Sequence, residues 1–227
     1  MGGTEPLIKP QERVRKFAGI CRDGIPYVGA AALVTVASPW MIGLWVGVVW
    51  FVIAVGCVAW FFRDPDRRDP QDPSAVVSPA DGTILSVTHA PYPRFLPGEA
   101  QRVSIFMNVF NVHVNRVPFE GIIRDVHFNA GKWFAANSEK ASLQNEQTSV
   151  LLETPTGAKI VFVQIAGLIA RRIVCRLAPG DRVDRGERFG LIRFGSRCDL
   201  YLPDSVEVCV GKGDRVRGGE SMIGRFR

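Results

Sequence analysis

Histidine is scarce in this sequence, with three in 227 residues, and cysteine is present without pattern. The five cysteines, Cys21, Cys57, Cys175, Cys198 and Cys209, are odd in number, scattered and free of any Cys-x-x-Cys pair. That suggests neither a disulfide framework nor a zinc site and points to a reducing compartment. No zinc-finger spacing, helix-turn-helix pattern or RNP-like aromatic motif is present, and the arginines are interspersed with acids. The formal charge of +6 is therefore not read as a nucleic-acid surface. It fits an acidic lipid surface instead. A heptad-patterned hairpin is also missing.

Charge itself is absent from Gly24 to Phe62. The second part of that stretch, MIGLWVGVVWFVIAVGCVAWFF at 41–62, is apolar for the roughly 20 residues that cross a bilayer core. The first part, IPYVGAAALVTVA, is apolar but short, and Ser38-Pro39 between the two reads as a turn. A secretory signal peptide is disfavoured, since the run is too long, lies too far from Met1 and is followed by no small-residue cleavage site. Basic residues flank both ends: Lys9, Arg13, Arg15, Lys16 and Arg22 before, Arg63, Arg67 and Arg68 after. Because cytoplasmic flanks carry the Lys/Arg excess, this arrangement favours a hairpin that enters and leaves on one side, with the rest of the chain on the cytoplasmic face of the inner cell membrane; a single span with an interfacial first helix is the alternative.

After the linker FFRDPDRRDPQDP the pattern changes to short apolar runs split by Gly and Pro, the signature of β-structure. Strands are expected at 83–89, 103–110, 122–129, 149–153, 160–165, 172–177 and 187–202, with one helix near 134–143. ETPTGAK at 153–159 reads as a hairpin turn with Gly157 at positive φ. An internal echo, GDRVDRGE from Gly180 and GDRVRGGE from Gly213, resembles the turns of barrel-sandwich domains. The expected fold is mainly β with minor α: a barrel-sandwich-like β domain preceded by a transmembrane or membrane-inserted helical hairpin. The expected organisation is a basic segment 1–24, a hairpin 25–62, a linker 63–74 and a β-rich domain 75–227.

Within the last expected strand, Gly195-Ser196 interrupts the apolar run. Alone, such a pair reads as a bulge or a close backbone approach. Two other stretches add chemistry. SPADG at 78–82 sets Asp81 in a tight turn just before a strand, and NVHVNRVP at 111–118 holds His113 in a strand that alternates apolar and polar residues. Acid, base and hydroxyl are the parts of an orienter, a proton shuttle and a nucleophile.

FFRDPDR at 61–67, SPADG, NVHVNRVP, NEQ at 145–147, QIAGLIARRIV at 164–174 and FGSR with DLYLP together resemble the pyruvoyl-dependent phosphatidylserine decarboxylases in their short bacterial form. The resemblance implies a proenzyme that cuts itself between Gly195 and Ser196 into a β chain, 1–195, and an α chain, 196–227, which stay together. Ser196 would become a covalent pyruvoyl cofactor, whose ketone takes the amine of phosphatidylserine; loss of carbon dioxide then gives phosphatidylethanolamine. His113 is implied as the proton donor to the product, and Asp81 with His113 as helpers of self-cleavage. The sequence departs from longer members, which carry a second histidine where Arg116 stands and Leu-Gly-Ser-Thr where Phe-Gly-Ser-Arg stands, so the base for cleavage stays open. Arg171, Arg172 and Arg197 are candidates for the lipid phosphate or carboxylate, because guanidinium forks suit such groups. Acyl-chain preference and a homo-oligomeric state are not readable. The competing reading is a membrane-anchored barrel-sandwich adaptor for a protein partner, which explains the anchor and the echo but gives Ser196, His113 and Asp81 no joint role.

Overall fold

The computed structural model describes residues 16–17, 19–36, 43–92, 94–96, 98–131, 145–167, 173–192 and 195–227. The helix expected at 134–143, the turn at Ser38-Pro39, and Arg171 and Arg172 lie outside the described residues. The chain divides into two compact units, one ending at Asp66 and one running from Arg67 to Arg227.

In the first unit a two-residue pairing of β1 (Lys16–Phe17) with β2 (Ile20–Cys21) leads through a 3-10 turn into α1 (Ile25–Val36), and α2 (Leu44–Phe61) follows. The two helices pack on each other. The start of α1 and the end of α2 meet: Cys21 N–H donates to Phe62 O at 2.9 Å, Asp64 N–H donates to Gly19 O at 2.7 Å, and the Tyr27 ring stacks on Phe62. The chain therefore comes and goes at one end, as a hairpin must. At 1.5 Å per residue α2 reaches about 27 Å and α1 about 18 Å, so only α2 approaches the thickness of a hydrocarbon core. α2 has a mean hydropathy of 2.3 with 11% of it buried, and Trp45 is 80% exposed, so its apolar faces are not spent on a protein core. Arg63 closes its C-terminus, donating to Trp60 O at 2.9 Å with its guanidinium 4.1 Å above the Trp60 ring.

The second unit is almost entirely strand. Its elements are β3 (Ala75–Val77), β4 (Gly82–Pro91), β5 (Glu99–Met107), β6 (Val114–Arg116), β7 (Gly121–Asn129), β8 (Gln147–Glu153), β9 (Lys159–Ile165), β10 (Ile173–Cys175), β11 (Arg182–Val183), β12 (Arg188–Ile192), β13 (Ser196–Leu202), β14 (Val206–Val208), β15 (Arg215–Val216) and β16 (Met222–Phe226). Eight of them form one antiparallel sheet in the order β11-β7-β8-β9-β13-β5-β4-β15, and two three-stranded sheets, β10-β12-β6 and β14-β16-β3, complete the unit. Period-two alternation sorts the side chains of the large sheet. Cys198, Leu200 and Leu202 of β13 join Ile105, Phe162 and Phe189 in the main core, while Tyr201 joins Val161, Val163 and Ile165 in a second cluster on the other face. β13 is buried at every position.

The structure corrects two expectations. The run 187–202 is not one interrupted strand: β12 pairs with β10 and β6, β13 with β5 and β9, so the chain changes sheet between Ile192 and Ser196. A sequence reading sees only a continuous apolar run there. His113 is not in a strand but immediately ahead of the short β6, and residues 112–119 are buried throughout rather than alternating.

The echo is borne out as a pair of turns. Gly180 and Gly213 sit at φ 92° and 97°, and Gly186 and Gly219 at φ 76° and 75°. After the first glycine of each pair, β11 and β15 bind the starts of β7 and β4, with Val183 opposite Gly121 and Val216 opposite Gly82. A side chain at Gly82 or Gly121 would run into the carbonyl of Phe106 or Glu153. The match extends to the segments they bind, since Pro79-Ala80-Asp81-Gly82 and Pro118-Phe119-Glu120-Gly121 occupy equivalent places.

Candidate active site

One row of partners crosses the large sheet: Asn129, Gln147, Ile165, Arg197, Phe106 and Thr83. Just beyond that row, at the same end, Ser196 stands opposite Met107, and the chain enters β4 from Asp81. This end of the sheet thus carries Ser196 and the turn that holds Asp81.

Ser196 is fully buried at the head of β13. Its Oγ donates to Met107 Sδ at 3.4 Å. A thioether accepts weakly and is no base, so this contact holds the hydroxyl without activating it. Gly195 before it has φ 57°, and a side chain there would meet nothing within 4 Å. The demand for glycine is thus conformational rather than steric. Burial pushes the Cys198 thiol well above its ordinary value, so the other nucleophilic side chain on that face of β13 is held protonated.

Asp81 accepts from Gly218 N–H at 2.7 Å and from Arg67 Nη2, which reaches both carboxylate oxygens at 2.7 and 3.0 Å. Arg67 also reaches Glu220 at 3.3 Å. The turn around Asp81 is tied to the segment after His113: Pro79 O accepts from Arg116 N–H at 2.9 Å and from Asn115 Nδ2 at 3.5 Å. His113 is buried, whereas His89 is exposed and His127 half-exposed. The His113 carbonyl accepts from Ile192 N–H at 3.3 Å, at the end of the strand that leads to Gly195. The architecture thus brings Asp81, His113 and Ser196 to one end of one unit.

Arg116, at the place of the absent second histidine, donates to Gly186 O at 3.0 Å, and its Cδ fills the space over Gly219. It props the paired turns. Arg197 points to the face of β13 opposite Ser196. There it forms a buried two-point pair with Asp199 at 2.6 and 3.1 Å and donates to Ser104 Oγ at 2.7 Å. Sequence reasoning passed over Met107, Asn115, Gln164 and Arg67. The available signal was polarity out of place, as in IVFVQIAG, where Gln164 alone breaks an apolar strand.

A buried serine behind a positive-φ glycine, with a buried histidine and a paired aspartate at the same sheet end and an apolar helical hairpin ahead, defines an enzyme of mostly β build with a membrane-compatible segment. The particular family follows from comparison. The chain belongs to the phosphatidylserine decarboxylase family, whose model matches residues 55–224. It is 47% identical over 210 residues to a phosphatidylserine decarboxylase proenzyme of Desulfotalea psychrophila, covering 91% of this chain and 96% of the relative. It is 49% identical over 215 residues to the proenzyme of Rickettsia felis, covering 92% and 91%. A third such proenzyme, from Syntrophus aciditrophicus, is 43% identical over 208 residues.

Proposed function

We propose that this chain is a proenzyme that cuts itself between Gly195 and Ser196 and then decarboxylates phosphatidylserine to phosphatidylethanolamine. The observation that carries the reading is Ser196, fully buried at the head of a central strand behind a glycine at φ 57°, in a chain of this family. In the cutting step Ser196 Oγ attacks the Gly195 carbonyl and the acyl group shifts from nitrogen to oxygen. Elimination then releases 1–195 with a free Gly195 carboxylate and leaves residue 196 as dehydroalanine, whose hydrolysis expels ammonia and leaves a pyruvoyl group capping the 196–227 chain.

The site suits such a group, because the new terminus would be buried at the edge of the core and β13 stays paired with β5 and β9 on either side. When present, the pyruvoyl group supplies a ketone that takes the substrate amine and a conjugated carbonyl that accepts the electrons left by the departing carboxylate. His113 delivers the proton that replaces the carboxylate, and burial keeps bulk water from competing. Asp81, held by Arg67 and Gly218, fixes the turn against which residues 115–116 lie and so orients the His113 segment, and its carboxylate together with His113 assists Ser196 in the cutting step.

The proposed organisation is a basic segment 1–24, a membrane hairpin 25–62, a linker 63–74 and a catalytic domain 75–227 on the cytoplasmic face of the inner membrane. Its support is the shared end of α1 and α2, flanked by Arg22 and Arg63. Arg171 and Arg172 are the proposed cations for the lipid head. The adaptor reading has no comparison in its favour, and the echo that suggested it is accounted for by turns.

The test is a mass spectrum of the denatured protein, with a ketone-reactive amine added to a second aliquot. Two chains split at Gly195/Ser196, the smaller one blocked and trapped by the amine, are the expected result. A chain that stays whole with time and added lipid overturns the reading.

A further inference from the structure

Asn115 and Gln164 are fully buried polar residues at the active-site end, and the reaction described above uses neither. Gln164 lies on β9 opposite Cys198, facing the main core as Ser196 does. Its Nε2 donates to Asn115 Oδ1 at 2.9 Å and to the Val174 carbonyl at 3.4 Å. Both partners are acceptors, which fixes the way the amide points. Gln164 Oε1 is left buried with no hydrogen-bond partner among the described residues.

With its oxygen used by Gln164, Asn115 presents its Nδ2 hydrogens to the site. They meet the Pro79 carbonyl at 3.5 Å and Met107 Sδ at 3.8 Å. Both contacts are long, and the second is to a weak acceptor. The same sulfur accepts from Ser196 Oγ at 3.4 Å. A buried donor with unspent capacity and the attacking oxygen therefore converge on one atom.

The charge that needs such a donor arises in the acyl shift. As the bond from Ser196 Oγ to the Gly195 carbonyl carbon forms, the carbonyl electron pair moves onto its oxygen. That pair returns as the bond from this carbon to the Ser196 nitrogen breaks, and the nitrogen takes up the proton that Oγ gave away. Between the two events the oxygen carries a full negative charge in a site shielded from water, where a donor already in place costs no reorganisation.

We propose that Asn115 Nδ2 is the donor that stabilises this oxyanion, and that Gln164 is a positioning residue that keeps the amide turned toward it. The inference rests on the self-cleavage reading above. It adds a residue on the electrophilic side of the reaction, where Asp81 and His113 serve the nucleophile.

The experiment follows cutting of the freshly translated full-length chain by mass spectrometry, with and without hydroxylamine, alongside thermal melting. Asn115→Asp keeps the shape and the oxygen that Gln164 bonds while deleting the donor. Its cutting is expected to be about 100-fold slower, the usual loss for one oxyanion donor. If the buried carboxylate lowers melting sharply, Asn115→Ala is read in its place. Hydroxylamine splits esters and spares amides, so a block before the acyl shift leaves it nothing to split and no fragments appear. Gln164→Leu alone is expected to slow cutting by up to about 100-fold, the loss that misplacement of a group can bring, and to add little on top of Asn115→Asp.

Folded Asn115 variants that cut at the parental rate overturn the proposal. So do variants that accumulate a hydroxylamine-sensitive ester, because the block would then lie after the shift, and so do fully additive effects of the two positions. A parental chain that never cuts sinks the self-cleavage reading itself, and that is seen before any variant is compared.

Discussion

At the residue scale, Ser196, the proposed nucleophile, rests its hydroxyl on the sulfur of Met107, so little stability depends on that hydroxyl. Ser196→Ala loses one weak contact to Met107 and should change unfolding free energy by under about 1 kcal/mol, while leaving the chain whole and inactive; calorimetry and a gel together check both halves. Asp81 carries more. Its pair with Arg67 is largely buried, with side chains 12% and 8% exposed, and breaking it should cost about 3 kcal/mol. Asp81→Asn and Arg67→Gln should therefore destabilise alike. Only the first should slow cutting strongly, and equal cutting rates would reduce Asp81 to an anchor for its turn. On the far face of β13, burial and the charge of Asp199 push the Tyr201 phenol up to about 12. A raised phenol stays protonated in the folded state after the unfolded chain has ionised, so its contribution is complete below about pH 10 and lost as pH rises through 12. Tyr201→Phe should flatten the fall in melting temperature over that window.

At the element scale, Gly195 stands immediately ahead of β13, after the chain has left β12 of a different sheet. Gly195→Ala forces an L-residue to φ 57° and should cost about 1–2 kcal/mol. It should also slow cutting, because relief of that conformation pulls the carbonyl out of line; a variant that cuts at the parental rate would show the turn to be incidental. Much of this level was legible. Alternation and turn glycines located β4, β5, β7, β8 and β9 and the turn at Gly157, because each has one face in the core and a break that only glycine or proline chemistry explains. The crossing between sheets was not legible, since an unbroken apolar run carries no record of which neighbours it pairs with. β3 was missed as a strand for a related reason, since a three-residue strand buried on all sides has no period to detect; β6 was expected, but as part of a longer alternating strand over 111–118 rather than the three buried residues it is. The back-facing position of Arg197 was readable in principle, as neighbours in a strand point to opposite faces. Asn115 and Gln164 stood in the quoted motifs without a role, because a polar residue in an apolar strand announces a partner but not its identity.

At the scale of the whole molecule, the proposed organisation divides the work between a membrane hairpin and a catalytic β unit. Deleting residues 25–62 should leave self-cleavage near the parental rate, because every contact described around Ser196 lies in the unit from Arg67 onward. It should abolish co-sedimentation with phosphatidylserine vesicles and cut turnover on them severalfold, as the lipid must then be met from solution. Failure of the shortened chain to cut would show that the hairpin supports the fold rather than only its location. The paired turns, finally, give the protein a built-in control. Asp81 and Glu120, Gly82 and Gly121, Gly218 and Arg185 stand at equivalent points of two near-copies of one motif, but only one copy lies at the Ser196 end of the large sheet. The molecule is symmetric in construction and asymmetric in use. Changes made in the Glu120 copy report what the motif contributes to folding, and the same changes in the Asp81 copy report that plus the chemistry, so the difference between them isolates catalysis within a single chain.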